Sequence, residues 1–192
     1  MRHYKLFFLA FFGLLLGACG STPQSQYFML EAASAPQELH GSPSIGVEPV
    51  SVAQYLDREQ LVLRDGPNSL YIPPYQRWGE PLSDGISRVI RLNLASLLRT
   101  ETILNFPWRR DRQPEYAVKV SVLSLDSTAD NAFLVAEWSV SRQGKVIAQR
   151  LSQLEQENQG SDGAAVSAAY SALLLSLSKQ ISEVIHRQEE AL

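Results

Sequence analysis

The strongest constraint on the fold is strict two-residue alternation between positions 116 and 141. Tyr116, Val118, Val120 and Val122 alternate with Ala117, Lys119 and Ser121; Leu134, Ala136, Trp138 and Val140 alternate with Val135, Glu137, Ser139 and Ser141. Successive side chains of a strand point to opposite faces, so the pattern describes a sheet with one covered face and one mainly wet. Gln143-Gly144-Lys145 supplies a tight turn, and Val146 to Gln156 leads away from it. Three antiparallel strands in a meander are predicted.

Two other stretches carry the helical period. Within 81–99, Leu82, Ile86, Val89, Ile90, Leu94, Leu97 and Leu98 form one stripe, while Arg88, Arg91 and Asn93 fall largely off it. Pro81 follows Glu80 and suits the first helical position, where an N–H has no partner to lose. Gly85 weakens this helix. From Ala164 to Glu190, a second stripe runs through Val166, Ala169, Tyr170, Leu173, Leu177, Ile181 and Val184, with Ser161 or Asp162 as the N-cap. Shorter strands are expected over 27–30, 44–50, 60–64, 69–72 and 102–106, with a turn at Asp65-Gly66-Pro67-Asn68 and loops over 32–43 and 107–114. The fold class is α+β (mixed α/β): two layers, with a largely antiparallel sheet and two long helices on one face. The pattern leaves the strand order open.

The amino terminus reads as a targeting segment. Arg2 and Lys5 precede an uncharged apolar run from Leu6 to Leu16, then the small residues Gly17 and Ala18. The run is shorter than the roughly 20 apolar residues that a spanning helix needs. Cys19, the sole cysteine, follows Leu16-Gly17-Ala18 as in a bacterial lipobox. Proteins with such a box are cut before the cysteine, here between Ala18 and Cys19. They carry S-diacylglycerol and N-acyl chains on it, and several chains together anchor stably. Gly20 is not the aspartate that tends to retain lipoproteins in the inner membrane, so the outer membrane, periplasmic face, is expected. The expected organisation is a signal peptide over 1–18, a lipidated tether over 19–26 and one domain over 27–192.

Removing residues 1–18 takes the formal charge from −3 to −5, because Arg2 and Lys5 leave. An acidic chain without a basic footprint is not built for nucleic acid. No disulfide can form within the mature chain. The sequence has no G-x-S-x-G, H-E-x-x-H, P-loop or dinucleotide-binding glycine turn. His3 leaves with the signal; His40 falls in a loop and His186 near a helix end, where a cation suits the dipole. No catalytic residue, metal site or cofactor is assigned beyond the lipid on Cys19.

Two clusters mix charge with aromatics. The first comprises Tyr55, Leu56, Asp57, Arg58 and Arg64, then Arg77, Trp78, Glu80 and Pro81. One reading is structural: Arg58 or Arg64 pairs with Asp57 or Glu80, and Trp78 packs over the helix start. The other is a partner surface, where arginine and tryptophan are common anchors. The second cluster is Trp108, Arg109, Arg110 and Arg112, read either as a solvated loop or as a contact for lipid headgroups or an acidic partner.

The lipobox, Tyr27-Phe28-Met29-Leu30, Ile45-Gly46-Val47-Glu48-Pro49-Val50, Tyr55-Leu56-Asp57-Arg58 and Arg77-Trp78-Gly79-Glu80-Pro81-Leu82 together resemble the ABC-type transport auxiliary lipoprotein family. Gly79 stands where alanine is expected in many relatives. The resemblance implies a non-enzymatic subunit of an intermembrane lipid transport system. Its partner would be a periplasmic MCE-domain protein of that system, with a homo-oligomer possible. A structural or assembly lipoprotein independent of any transporter, and a periplasmic hydrolase, are the competing functions.

Overall fold

The computed structural model describes residues 23–33 and 43–191. The main sheet has six strands. Three form the predicted meander: β8 (Tyr116–Ser127), β9 (Asn131–Arg142) and β10 (Lys145–Glu157), each antiparallel to the next. Gln143 and Gly144, both with positive φ, make the turn between β9 and β10. On the other side of β8 the sheet becomes parallel. β2 (Ile45–Val47) pairs with β8 and with β7 (Ile103–Asn105), giving the order β10-β9-β8-β2-β7. β3 (Ser51–Val52) continues along β8 beyond β2 with its register shifted by one residue. Pro49, which has no N–H to give to a ladder, lies in that break.

Both helices cover the same face. α1 (Leu82–Leu97) makes the crossover between the parallel strands β2 and β7, and α2 (Gly163–Glu190) lies against β9 and β10 and alongside α1. Tyr116, Val118, Val120, Leu134, Ala136, Trp138 and Val140 point into the layer between and are buried, as the alternation predicts. Asp162 caps α2: its carboxylate accepts from the N–H groups of Ala164 and Ala165, both at 2.9 Å. A relay of two bonds links β9, β10 and α2, as Trp138 Nε1 donates to Ser152 Oγ at 2.8 Å and that hydroxyl donates to Gln180 Oε1 at 2.5 Å.

Several local expectations change. The strand expected over 27–30 is β1 (Gln26–Phe28), and it stands outside the main sheet. It pairs in parallel with β6 (Gln76–Trp78), a strand too short and polar to show in the pattern. The strands expected over 60–64 and 69–72 shrink to β4 (Leu63–Arg64) and β5 (Leu70–Tyr71), a hairpin around the predicted turn. Pro81 is the N-cap of α1 and not its first helical residue. Asn93 is fully buried, and its side-chain oxygen accepts from the N–H of Ala33 at 2.9 Å.

Phe28 seats β1 on the helical layer. A Cβ built on Gly163, the first residue of α2, would lie 2.2–2.6 Å from three atoms of the Phe28 ring. Only glycine lets the ring lie against the helix start. Gly163→Ala is therefore expected to unseat Phe28 at a cost of about 1–3 kcal/mol, read as a lower denaturant midpoint at unchanged slope. An unaltered midpoint would contradict this packing.

Candidate functional site

The first charged–aromatic cluster divides into an inward and an outward half. The inward half serves a residue that sequence reasoning missed, Asp126, which is 4% exposed. Tyr55 Oη donates to Asp126 Oδ1 at 3.0 Å and accepts from the N–H of Leu125 at 3.2 Å. Arg64 Nη2 donates to Asp126 Oδ2 at 2.6 Å, and its Nη1 donates to the Pro67 carbonyl at 3.1 Å. A buried carboxylate is tolerable only with such partners. Tyr55 and Arg64 thereby fasten the segment after β3 and the β4–β5 hairpin to the end of β8. Burial pushes the Tyr55 phenol up to about 12, with the neighbouring Asp126 charge acting in the same direction. Leu56 is buried. Trp78 stacks on Tyr170 of α2 with ring centroids 6.2 Å apart, and Tyr170 donates to the Leu125 carbonyl at 3.2 Å.

Glu80 and Pro81 organise the start of α1. Glu80 accepts from Arg88 Nη2 at 2.5 Å, and the same nitrogen donates to the Leu30 carbonyl at 2.9 Å. Gly85 makes this reach possible: a Cβ there would stand 3.1 Å from Glu80 Oε1. The glycine that weakens the helix on propensity is what admits the carboxylate. The N–H of Glu31 donates to Ser171 Oγ of α2 at 3.0 Å, and the N–H of Gly79 donates to the Phe28 carbonyl at 2.8 Å. Residues 26–33 thus form a strap bonded to both helices. The pairings expected of Arg58 or Arg64 with Asp57 or Glu80 do not occur. Arg64 takes Asp126, Glu80 takes Arg88, and Trp78 stacks on Tyr170 of α2 while lining a cleft with Pro81 and Leu82 at the start of α1. Asp126 and Arg88 lie 62 and 8 residues from their partners, and no short motif spans such separations.

The outward half is Asp57 and Arg58. Both are exposed, and among the described residues neither side chain has a hydrogen-bond or ion-pair partner. They border an open cleft of about 430 Å³ together with Tyr27, Glu59, Gly79 and Pro81. Glu59 is held by Arg77 at 2.9 Å. The cleft lining is held for definite reasons: Trp78 is stacked, Glu80 is salt-bridged, and Asp57 follows directly on Leu56, the buried residue of the short 3₁₀ turn Gln54–Leu56. One free carboxylate and one free guanidinium on such a frame suit a polar partner surface.

The second cluster splits in the same way. Trp108 covers the middle of β2: a Cβ on Gly46 would lie 2.4 Å from Trp108 Cζ2. Its ring meets Phe106 edge-on at 5.2 Å. Arg109 pairs with Asp111 at 3.0 Å, while the side chains of Arg110 and Arg112 are exposed without a partner among the described residues. His186 faces the Leu97 carbonyl at 3.3 Å. Ala18, Cys19 and His40 lie outside the described residues. Among the described residues, no group of three or more His, Cys, Asp and Glu side chains is placed to hold a metal ion, and no helix is long and apolar enough to cross a membrane.

Comparison with known proteins places the chain. The mixed α+β fold is shared with an uncharacterised protein of known structure (21% identity, TM-score 0.70, covering 85% of this chain and 99% of the other). It is also shared with a protein from Xanthomonas campestris (16% identity, TM-score 0.69, covering 87% of this chain and 99% of the other). No curated protein matches the chain. The family model for the ABC-type transport auxiliary lipoprotein component matches residues 28–182, and the chain belongs to that family. It is a family of transport accessory lipoproteins, not of enzymes, and membership implies transporter partners.

Two outcomes test the inward half. Arg64→Met is expected to lower stability by about 1–2 kcal/mol, because Asp126 loses its charged partner at a site partly open to water. Tyr55 also sets an alkaline limit. Its folded pKa is about 12 against 10.0 for the free phenol, so between those values the unfolded state binds fewer protons and stability falls as pH rises. Tyr170 and Tyr116 shift in the same direction, chiefly through burial. Tyr55→Phe is expected to make the decline above pH 10 shallower in denaturant titrations; an equal slope would contradict the assignment.

Proposed function

We propose that the chain is lipidated at Cys19, held on the periplasmic face of the outer membrane, and docks there on an MCE-domain protein of its transport system. In this role it supports intermembrane lipid transport and membrane integrity, as its resemblance to the paraquat-inducible lipoprotein PqiC implies. Residues 1–18 are the signal peptide, 19–26 the tether and 27–192 the working domain.

The observation that carries the docking role is the division of the Tyr55–Pro81 cluster. Seven of its nine residues, Tyr55, Leu56, Arg64, Arg77, Trp78, Glu80 and Pro81, are engaged in stacking, burial, salt bridges or capping. Asp57 and Arg58 are left free at the mouth of a cleft that the others hold rigid. The exposed Arg110 and Arg112, presented by a loop that Trp108 pins to β2, form a second and smaller contact for headgroups or an acidic partner.

Exchanging the charges, Asp57→Lys with Arg58→Glu, is expected to leave stability within about 0.5 kcal/mol, as exposed substitutions usually do. Purification from membranes in mild detergent, followed by mass spectrometry, should recover the MCE-domain protein with the native chain and much less of it with this variant. No MCE-domain protein with the native chain would overturn the reading. Cys19→Ser is expected to fold yet leave the membrane fraction; retention there would refute the anchor.

A further inference from the structure

Five of the ten exposed large apolar side chains among the described residues belong to one corner of the fold. They are Tyr27, Met29, Leu70, Tyr71 and Tyr75, between 39% (Tyr75) and 66% (Tyr27) exposed. Backbone bonds bring their segments together. The N–H of Gln26 donates to the Tyr75 carbonyl at 2.7 Å, Tyr27 is paired with Arg77, and the N–H of Leu61 donates to the Gln76 carbonyl at 3.0 Å. Two residues beyond Leu61, Leu63 is paired with Tyr71. Alternation along β1 and β6 turns Phe28 and Trp78 toward α2. It therefore turns Tyr27, Tyr75 and Arg77 to the opposite, outer side.

From this arrangement we infer that this corner rests in the headgroup region of the bilayer that holds the lipid anchor. The inference depends on lipidation at Cys19. Only six residues separate Cys19 from Gln26, and the seven steps between them reach at most about 25 Å even when fully extended. The tether joins the domain beside Tyr75, so this corner is the part that the anchor draws to the membrane. The residue types fit that place: tyrosine carries an apolar ring with a polar tip and concentrates at membrane–water boundaries. An apolar patch of this kind marks a surface meant to be covered. Arg77, which shares the outer face, is already neutralised by Glu59, so the contact is apolar and interfacial more than electrostatic. The strap bonds between residues 26–33 and both helices carry this orientation to the whole domain.

The test uses the full lipidated protein reconstituted into phosphatidylethanolamine–phosphatidylglycerol vesicles, with lipidation verified by mass. Acylation blocks Cys19, so a single new thiol at Tyr75→Cys takes a polarity-sensitive fluorophore; Gln149→Cys, on the uncovered face of the sheet, is the control. The dye at position 75 is expected to shift to the blue and to lose intensity with lipids brominated near the headgroup, while the dye at 149 does neither. Adding Tyr27→Ser and Tyr71→Ser should abolish the shift at 75. A lipidated protein whose dye at 75 stays in water, or responds only when a partner protein is added, overturns this inference and leaves the anchor standing. An unlipidated chain overturns both.

Discussion

One nitrogen of Arg88 holds two things at once: the carboxylate of Glu80 and the carbonyl of Leu30. Much of the molecule's functional layout depends on that double contact. The carboxylate fixes the turn into α1, and the carbonyl fixes the strap that crosses both helices. A chain whose first described strand lies outside the main sheet would otherwise be free to fray there, since isolated two-stranded ribbons are marginal in water. Leu30 is buried at the centre of the strap, so the polar clamp and the apolar plug act on the same residue. The end of the chain nearest Cys19 is therefore mechanically continuous with the core.

That continuity matters for an anchored accessory protein. A lipid on a floppy leader would fix the location but not the orientation. With the anchor proposed at Cys19, the strap would convert one attachment point into a defined posture, with the Asp57–Arg58 cleft beside it. The buried Asp126 performs the matching task at the end of β8, where Tyr55 and Arg64 draw two otherwise loosely held segments onto the sheet. The polar groups of the cluster thus build a rigid frame, and only its rim is left to meet a partner. No step of chemistry is needed from such a frame; its contribution is preorganisation, which reduces what association must overcome.

The sequence made the regular parts legible. Tyr116 to Val140 carries its period in plain alternation, and the stripes of α1 and α2 carry theirs, because each element has one dry face and one wet one. Where that condition fails, the sequence is mute. Gln76-Arg77-Trp78 is a strand fixed by its neighbours β1 and Glu59–Leu61, and no pattern of its own announces it. Asn93 reads as a surface residue until the strap arrives to use its amide. The mixture of charge and aromatics singles out the Tyr55–Pro81 cluster in the sequence. The partners of Arg64 and Glu80 are not visible there, because Asp126 and Arg88 come to them only through the sheet and the helix.

In the docking proposed above, the rim beside the strap meets a transporter partner while the framework residues stay inside. A photo-crosslinking amino acid at position 58, activated in intact cells, tests this most directly. Such docking predicts a covalent adduct with the periplasmic MCE-domain protein, and none when the same probe stands at position 149 on the uncovered face of the sheet. Adducts from position 58 to unrelated outer-membrane proteins alone, or equal adducts from both positions, would contradict it.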